Sequence, residues 1–201
     1  MQIPFRVFHT YLPFVPSPTQ ISRFLSAMTN PKVKLAVCIL YATGLRLSEL
    51  CHLQCSDIMH STGKIYVRHS KNHSDRYVPL PESIWNMILI YWKSLPKEKR
   101  PRQWLFTQQR RLDKPMDKQW IQKQILVHRQ SLGMDERFCA HSLRHAYATN
   151  CYENGMDLLT LKTYLGHNSI NSTCIYVKSG VSSKSDFVSP FDRLEVGDTH
   201  A

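Results

Sequence analysis

Helical patterning over most of the chain, broken once near the middle by two short alternating runs, predicts a mainly α fold with a small antiparallel β-sheet (α+β). Three observations carry that prediction. Capping signals followed by apolar residues at helical spacing recur from Ser17 to Tyr176. The run from Val33 to Tyr41 is apolar on nearly every side, the mark of a helix at the centre of a domain. Only between 58 and 80 do turn residues flank β-branched and aromatic alternation.

Taken in order, residues 1–16 hold Pro4, Pro13 and Pro16 and read as an extended segment, similar to the end of an interdomain linker. Ser17-Pro18-Thr19-Gln20 then supplies an N-cap, a proline at the first helical position and a capping-box glutamine. Ile21, Phe24, Leu25 and Met28 follow on one face, and Asn30-Pro31 ends that helix. A helix over about 32–43 stops at Gly44, and a short one over about 47–53 follows, so Arg46 sits at their junction. Ser61-Thr-Gly-Lys64 is a turn, Ile65–His69 and Arg76–Leu80 are paired strands, and Lys71 lies in the polar connection between them. Pro81-Glu82 starts a helix with Ile84, Met87, Ile88, Tyr91 and Trp92 on one side. A basic loop over about 94–116 leads to Asp117, which caps a helix carrying Trp120, Ile121, Ile125 and Leu126. Three helices over about 141–154, 157–165 and 169–177 complete a domain spanning 17–177, and a polar tail, 178–201, is expected to be mobile or docked on a partner.

Composition narrows the function. At 201 residues with 42% hydrophobic content the chain is long enough for a single self-sufficient core. Its formal charge of +11, from 26 Lys and Arg against 15 Asp and Glu, favours polyanionic partners, nucleic acid first and acidic membrane second. Six scattered cysteines suit reduced, buried thiols rather than a disulfide framework. Cys51, His52 and Cys55 have no second Cys/His pair at matching spacing, which argues against zinc. Neither a secretory leader nor an apolar run of membrane-spanning length is visible, so a cytoplasmic protein is expected.

Ala140 to Tyr176 concentrates the reactive side chains. His141-Ser-Leu-Arg144-His145 begins it, Gly166-His167 follows and Tyr176 closes it, on three successive predicted helices. His141 and Arg144 are i,i+3 and share a helix face. Arg46, within Ala42-Thr-Gly-Leu-Arg-Leu-Ser-Glu-Leu50, adds a second guanidinium. Such a set suits phosphodiester exchange, in which negative charge gathers on the nonbridging oxygens as phosphorus becomes five-coordinate. Arginine meets that charge with a planar fork that stays protonated. Tyrosine, with an ordinary pKa of about 10, needs a cationic pocket or a nearby base to attack. The combination reads as a metal-free site that breaks and rejoins DNA with Tyr176 as nucleophile.

Those same residues resemble the catalytic domain of the tyrosine recombinases, the phage-integrase family. The matching stretches are Ala-Thr-Gly-Leu-Arg46-Leu-Ser-Glu-Leu, His141-Ser-Leu-Arg144-His-Ala-Tyr-Ala-Thr and Leu-Gly-His167 followed by Ile-Tyr176, and the intervals between them are similar too. The resemblance implies that Arg46 and Arg144 grip the scissile phosphate while His141 and His167 donate to it or shuttle protons. It implies that Tyr176 attacks to leave a 3′-phosphotyrosine, that Lys71 protonates the leaving 5′-oxygen, and that Glu49 braces the site. It further implies double-stranded DNA as partner, a homo-tetramer on two DNA sites, accessory DNA-bending proteins, a bacterial DNA-associated setting and no cofactor.

Two departures qualify this. The family's hairpin usually carries Gly-Lys-Gly, whereas this chain has Ser70-Lys71-Asn72, leaving Lys64 as a rival lysine. Most members also have an N-terminal helical domain for which residues 1–16 give no room, as in short members similar to the fimbrial-switch recombinases, or in a truncated gene or excised fragment. A type IB topoisomerase-like relaxing enzyme and a catalytically idle DNA-binding regulator are the alternatives. Each residue also has an ordinary reading: Arg46 paired with Glu49, His167 capping a helix end, Tyr176 a core tyrosine with a bonded hydroxyl. His69, His73 and His145 read as structural or surface residues. The basic groups are expected around one anion pocket, with the phenol on a late helix free to swing into it.

Overall fold

Ser17 starts the first helix by the mechanism its sequence encodes. Its hydroxyl accepts from the Gln20 N–H while the Gln20 side chain accepts from the Ser17 N–H. The computed structural model describes residues 13–68 and 75–179, with side chains to Val177. Helix α1 (Pro18–Ser26) buries Ile21 and Phe24. Asn30 caps α2 (Pro31–Thr43), accepting from the Lys32 and Val33 N–H groups.

As its composition predicts, α2 is the centre of the domain, burying Leu35, Ala36, Val37, Ile39 and Leu40 and packing on α4 (Glu82–Ser94) and α6 (Ala140–Glu153). It ends at Gly44 with φ +62°, where a Cβ would collide with the Tyr147 ring. Glycine is therefore required twice over, for the left-handed turn and for the close approach to α6. Arg46 caps the short α3 (Leu47–Cys51).

Among the described residues the sheet has three antiparallel strands in the order β1 (Ile58–Met59), β2 (Lys64–Val67) and β3 (Arg76–Pro79). Strand β3 falls within its expected run, while β2 starts one residue earlier than expected, at Lys64 of the expected turn. The two-residue β1 is too short to show a period. In the register Ile65 opposes Val78 and Val67 opposes Arg76. These four side chains are buried, and Tyr66 and Tyr77 lie on the other face. Lys71, His69 and His73 lie outside the described residues.

The basic loop after α4 differs from expectation. Its charged residues are exposed apart from the half-buried Arg100, but Leu105, Phe106 and Met116 belong to the core. A single bridge, Gln54 with Trp104, pins it to the domain, and another, Thr107 with Pro115, ties the loop to itself. Isolated pairs leave no periodic trace, which is why the sequence read as loop. Helix α5 (Lys118–Ser131), capped by Asp117, buries Ile121 and Ile125 and leaves Leu126 partly exposed. Two last helices, α7 (Leu158–Leu165) and α8 (Asn171–Ser179), follow α6. The described residues form two hydrophobic clusters: a large one centred on α2, and a small one of Tyr147, Ala148, Leu161, Leu165 and Tyr176. Among the described residues no helix is long and apolar enough to cross a membrane.

Candidate active site

The C-terminal turn of α7 organises the charged residues. A helix leaves its last carbonyls without intrahelical partners. Here the Gly166 and His167 N–H groups turn back onto Thr163 and Lys162. The next three carbonyls each take an arginine from a different element. Arg76 Nε donates to Tyr164 at 2.7 Å, Arg144 Nη2 to Leu165 at 2.5 Å and Arg46 Nη2 to Gly166 at 2.8 Å. The negative end of the helix dipole favours the same arrangement. Gly166, at φ +62°, leaves room for it, since a Cβ there would lie 2.9 Å from Arg76 Nη1.

Glu49 fixes two of these arginines. Arg76 grips it with both Nη atoms at 2.9 and 2.7 Å, and Arg46 donates its backbone N–H at 2.8 Å and Nη1 at 2.9 Å. Burial alone would raise the Glu49 pKa, but the hydrogen bonds and charge of Arg76, then of Arg46, hold it below its ordinary value. Arg144 is 2% exposed and gives its other fork nitrogen to Gly44 O at 2.7 Å. Burial, then Arg46, lowers its pKa to about 10, so it stays charged at neutral pH. Three guanidiniums thus face one carboxylate, and the cluster carries surplus positive charge.

A cleft of about 470 Å³ lies against this cluster, with Arg46, Ser48, His141 and Arg144 in its wall beside Lys118 and Arg129. His141, in the first turn of α6, is exposed at its edge. Partial burial, then Arg144 and Arg46, lowers its pKa. His167 follows α7, and its Nδ1 lies 3.0 Å from Thr173 Oγ1 on α8. Its pKa is pushed down to about 4 by burial and by Arg144, Arg46 and Arg76.

The expected swinging phenol is not seen. Tyr176 is 1% exposed and packed in the small hydrophobic cluster, and it does not line the cleft. Its ring stacks on His167 at 6.4 Å between centroids, and its hydroxyl lies 3.1 Å from His145 Nδ1. The physical reason is amphipathic packing: α8 is short, and its phenol face covers Tyr147, Leu161 and Leu165. Burial raises the Tyr176 pKa, against the opposing pull of Arg144.

The structure therefore brings Arg46, Glu49, His141 and Arg144 together on one side and His167 and Tyr176 just behind them. Lys64 is exposed, on the sheet face opposite Arg76, with its ammonium 5.9 Å over the Tyr77 ring. Lys71 is outside the described residues. Sequence reasoning missed Arg76, Thr173 and His145. For Arg76 a signal existed: it alternates with Tyr77 and Pro79 and so shares the core face of Val78 and Leu80. His145, read as structural or surface, is half-buried at i+4 from His141, on the same helix face, with its Nδ1 3.1 Å from the Tyr176 hydroxyl. Among the described residues no group of three or more His, Cys, Asp or Glu side chains could hold a metal ion.

This domain has the fold of the recombinase catalytic domains. The crystal structure of XerA recombinase matches it with TM-score 0.70 and 29% identity, over 87% of this chain and 61% of that one. XerH site-specific recombinase, bound to a palindromic difH substrate in a post-cleavage complex, matches with TM-score 0.68 and 26% identity, over 85% of this chain and 51% of that one. Among sequences, the putative integrase/recombinase y4eF of Sinorhizobium fredii is 30% identical, covering 91% of this chain and 71% of the relative. The tyrosine recombinase XerA of Thermococcus kodakarensis is 33% identical, covering 79% of this chain and 56% of the relative. The model of the phage integrase family matches residues 17–182. The chain belongs to the phage integrase family and spans just over half the length of that XerA.

Proposed function

We propose that this chain is the catalytic part of a site-specific DNA recombinase that cuts and rejoins double-stranded DNA through a 3′-phosphotyrosine at Tyr176. The observation that carries the reading is the set of three arginines held on the carbonyls of Tyr164, Leu165 and Gly166 at the end of α7, two of them also on the Glu49 carboxylate, beside a cleft. Charge fixed in this way needs no reorganisation when an anionic transition state forms. Arg46 and Arg144 hold the nonbridging oxygens, and His141 and His167 donate to them. As the Tyr176 oxygen bonds to phosphorus, the P–O5′ bond breaks and Lys71, or its rival Lys64, protonates the leaving oxygen. Rejoining reverses these steps, so the bond energy is kept in the phosphotyrosine. Glu49 acts through the arginines it fixes. The duplex partner is supported by XerH, whose structure holds its difH substrate. A tetramer on two sites and a catalytic domain over 17–177 belong to the same proposal.

Attack requires Tyr176 to turn out of its buried place in the small cluster, because the cleft wall does not include it, with its hydroxyl kept beside His145 Nδ1. That burial favours a second reading, a DNA-binding regulator that does not cut. One experiment separates them. DNA recovered by crosslinking in cells supplies the duplex sequence, and a nicked version is incubated with the protein. The recombinase gives a denaturation-resistant adduct that Tyr176→Phe lacks. Retention of the duplex without any adduct in the wild type establishes the regulator instead.

A further inference from the structure

Resting on that reading of Tyr176, we propose that His145 is the base of the reaction, taking the phenolic proton on Nδ1 as the Tyr176 oxygen attacks phosphorus. The geometry carries this. A base must stand within hydrogen-bonding reach of the proton it removes, and His145 Nδ1 is 3.1 Å from the Tyr176 hydroxyl. The neighbouring imidazoles are otherwise engaged. His167 turns its Nδ1 to Thr173, and His141 stands edge-on to His145 with ring centroids 4.4 Å apart.

The charged and titratable groups around His145 explain how its basicity follows substrate. Arg144 and His141 lie beside it on α6, Tyr176 faces it from α8 and His167 packs on the other side of that phenol. Burial, then His141 and Arg144, holds its pKa down at about 4, so in the free protein the imidazole is neutral and unable to keep a proton. A phosphate seated on Arg144 and Arg46 offsets the cationic field, and the same imidazole becomes a stronger base once DNA has docked. In cleavage the Oη–P bond forms, the P–O5′ bond breaks and the Tyr176 proton moves to His145. In rejoining the 5′-hydroxyl attacks, and Tyr176 leaves with the proton returned from His145. No other reactant is needed.

The test uses the full chain and the nicked duplex described above. His145→Asn keeps a polar atom near the Nδ1 position but cannot serve as base, and His145→Ala removes both. Each is expected to form adduct about a hundredfold or more slowly at neutral pH while retaining the duplex. Their rates should climb with pH across the neutral-to-alkaline range, where the wild type is flat, because solvent must then deprotonate the phenol. Added imidazole should accelerate His145→Ala. Wild-type rates in both variants overturn the proposal. Slow rates with the wild-type pH profile and no imidazole rescue also overturn it, since they mark a packing role. If the wild type itself forms no adduct, or Tyr176→Phe forms one, the failure lies in the nucleophile assignment instead.

Discussion

The two hydrophobic clusters differ in size, and the site is divided between them. The large cluster around α2 positions the charges: Arg46 leaves the α2–α3 junction, Arg76 lies on a strand packed against the core, and Arg144 stands on α6 between buried Leu143 and Ala146. The small cluster holds Tyr176 with four other buried residues and one hydroxyl–imidazole contact. Fully burying one large apolar side chain is worth roughly 1.5–3 kcal/mol. Shifting the arginines means breaking many such contacts, whereas freeing the phenol breaks few. One domain can thus hold its arginines rigidly while the phenol at Tyr176 sits in a more easily opened cluster.

Tyr176→Phe should have the largest effect on chemistry and a small one on the fold. Adduct formation on the nicked duplex should vanish, while the melting curve and duplex retention stay near wild type, because only a hydroxyl is lost. Glu49→Ala should have the largest effect on the rigid half. Glu49 and Arg76 side chains are each 5% exposed, so removing the carboxylate leaves buried cations unpaired and costs about 3–5 kcal/mol in denaturant unfolding.

Core truncations sharpen the comparison further. Leu40→Ala and Leu161→Ala both empty fully buried sites and each should cost about 2–5 kcal/mol locally. The expected difference lies in extent. Hydrogen exchange should quicken in α7 and α8 for Leu161→Ala and throughout the domain for Leu40→Ala. Equal spread in both would erase the distinction between the clusters.

The smallest effect concerns acidity. His145 and His167 have pKa values pushed down to about 4 from an ordinary 6.5. The unfolded chain therefore binds protons that the folded one refuses. Their contribution to stability is present above pH 6.5 and is lost as pH falls toward 4. The melting temperature should decline through that window, and His167→Gln should flatten the decline.

Much of this was legible beforehand because it is local. The Ser17 and Asn30 caps, the Gly44 stop and the all-round apolar α2 each depend on residues within a few positions of one another. Likewise the spacing of His141 and Arg144 on one helix, and the Arg46 and Tyr176 motifs, stood in the sequence and pointed to the family. Other features depend on which distant groups meet. Arg76 pairs with Glu49, His145 with Tyr176, and arginines from β3, α6 and the α2–α3 junction meet three successive carbonyls, of Tyr164, Leu165 and Gly166, at the end of α7. No periodicity encodes such meetings, because helix packing decides which orphan carbonyl lies within reach of which guanidinium. The chain's order of residues set its elements and reactive groups. Tertiary packing alone decided that the charges are fixed and the phenol withdrawn, since burial and long-range hydrogen bonds exist only once the helices have docked.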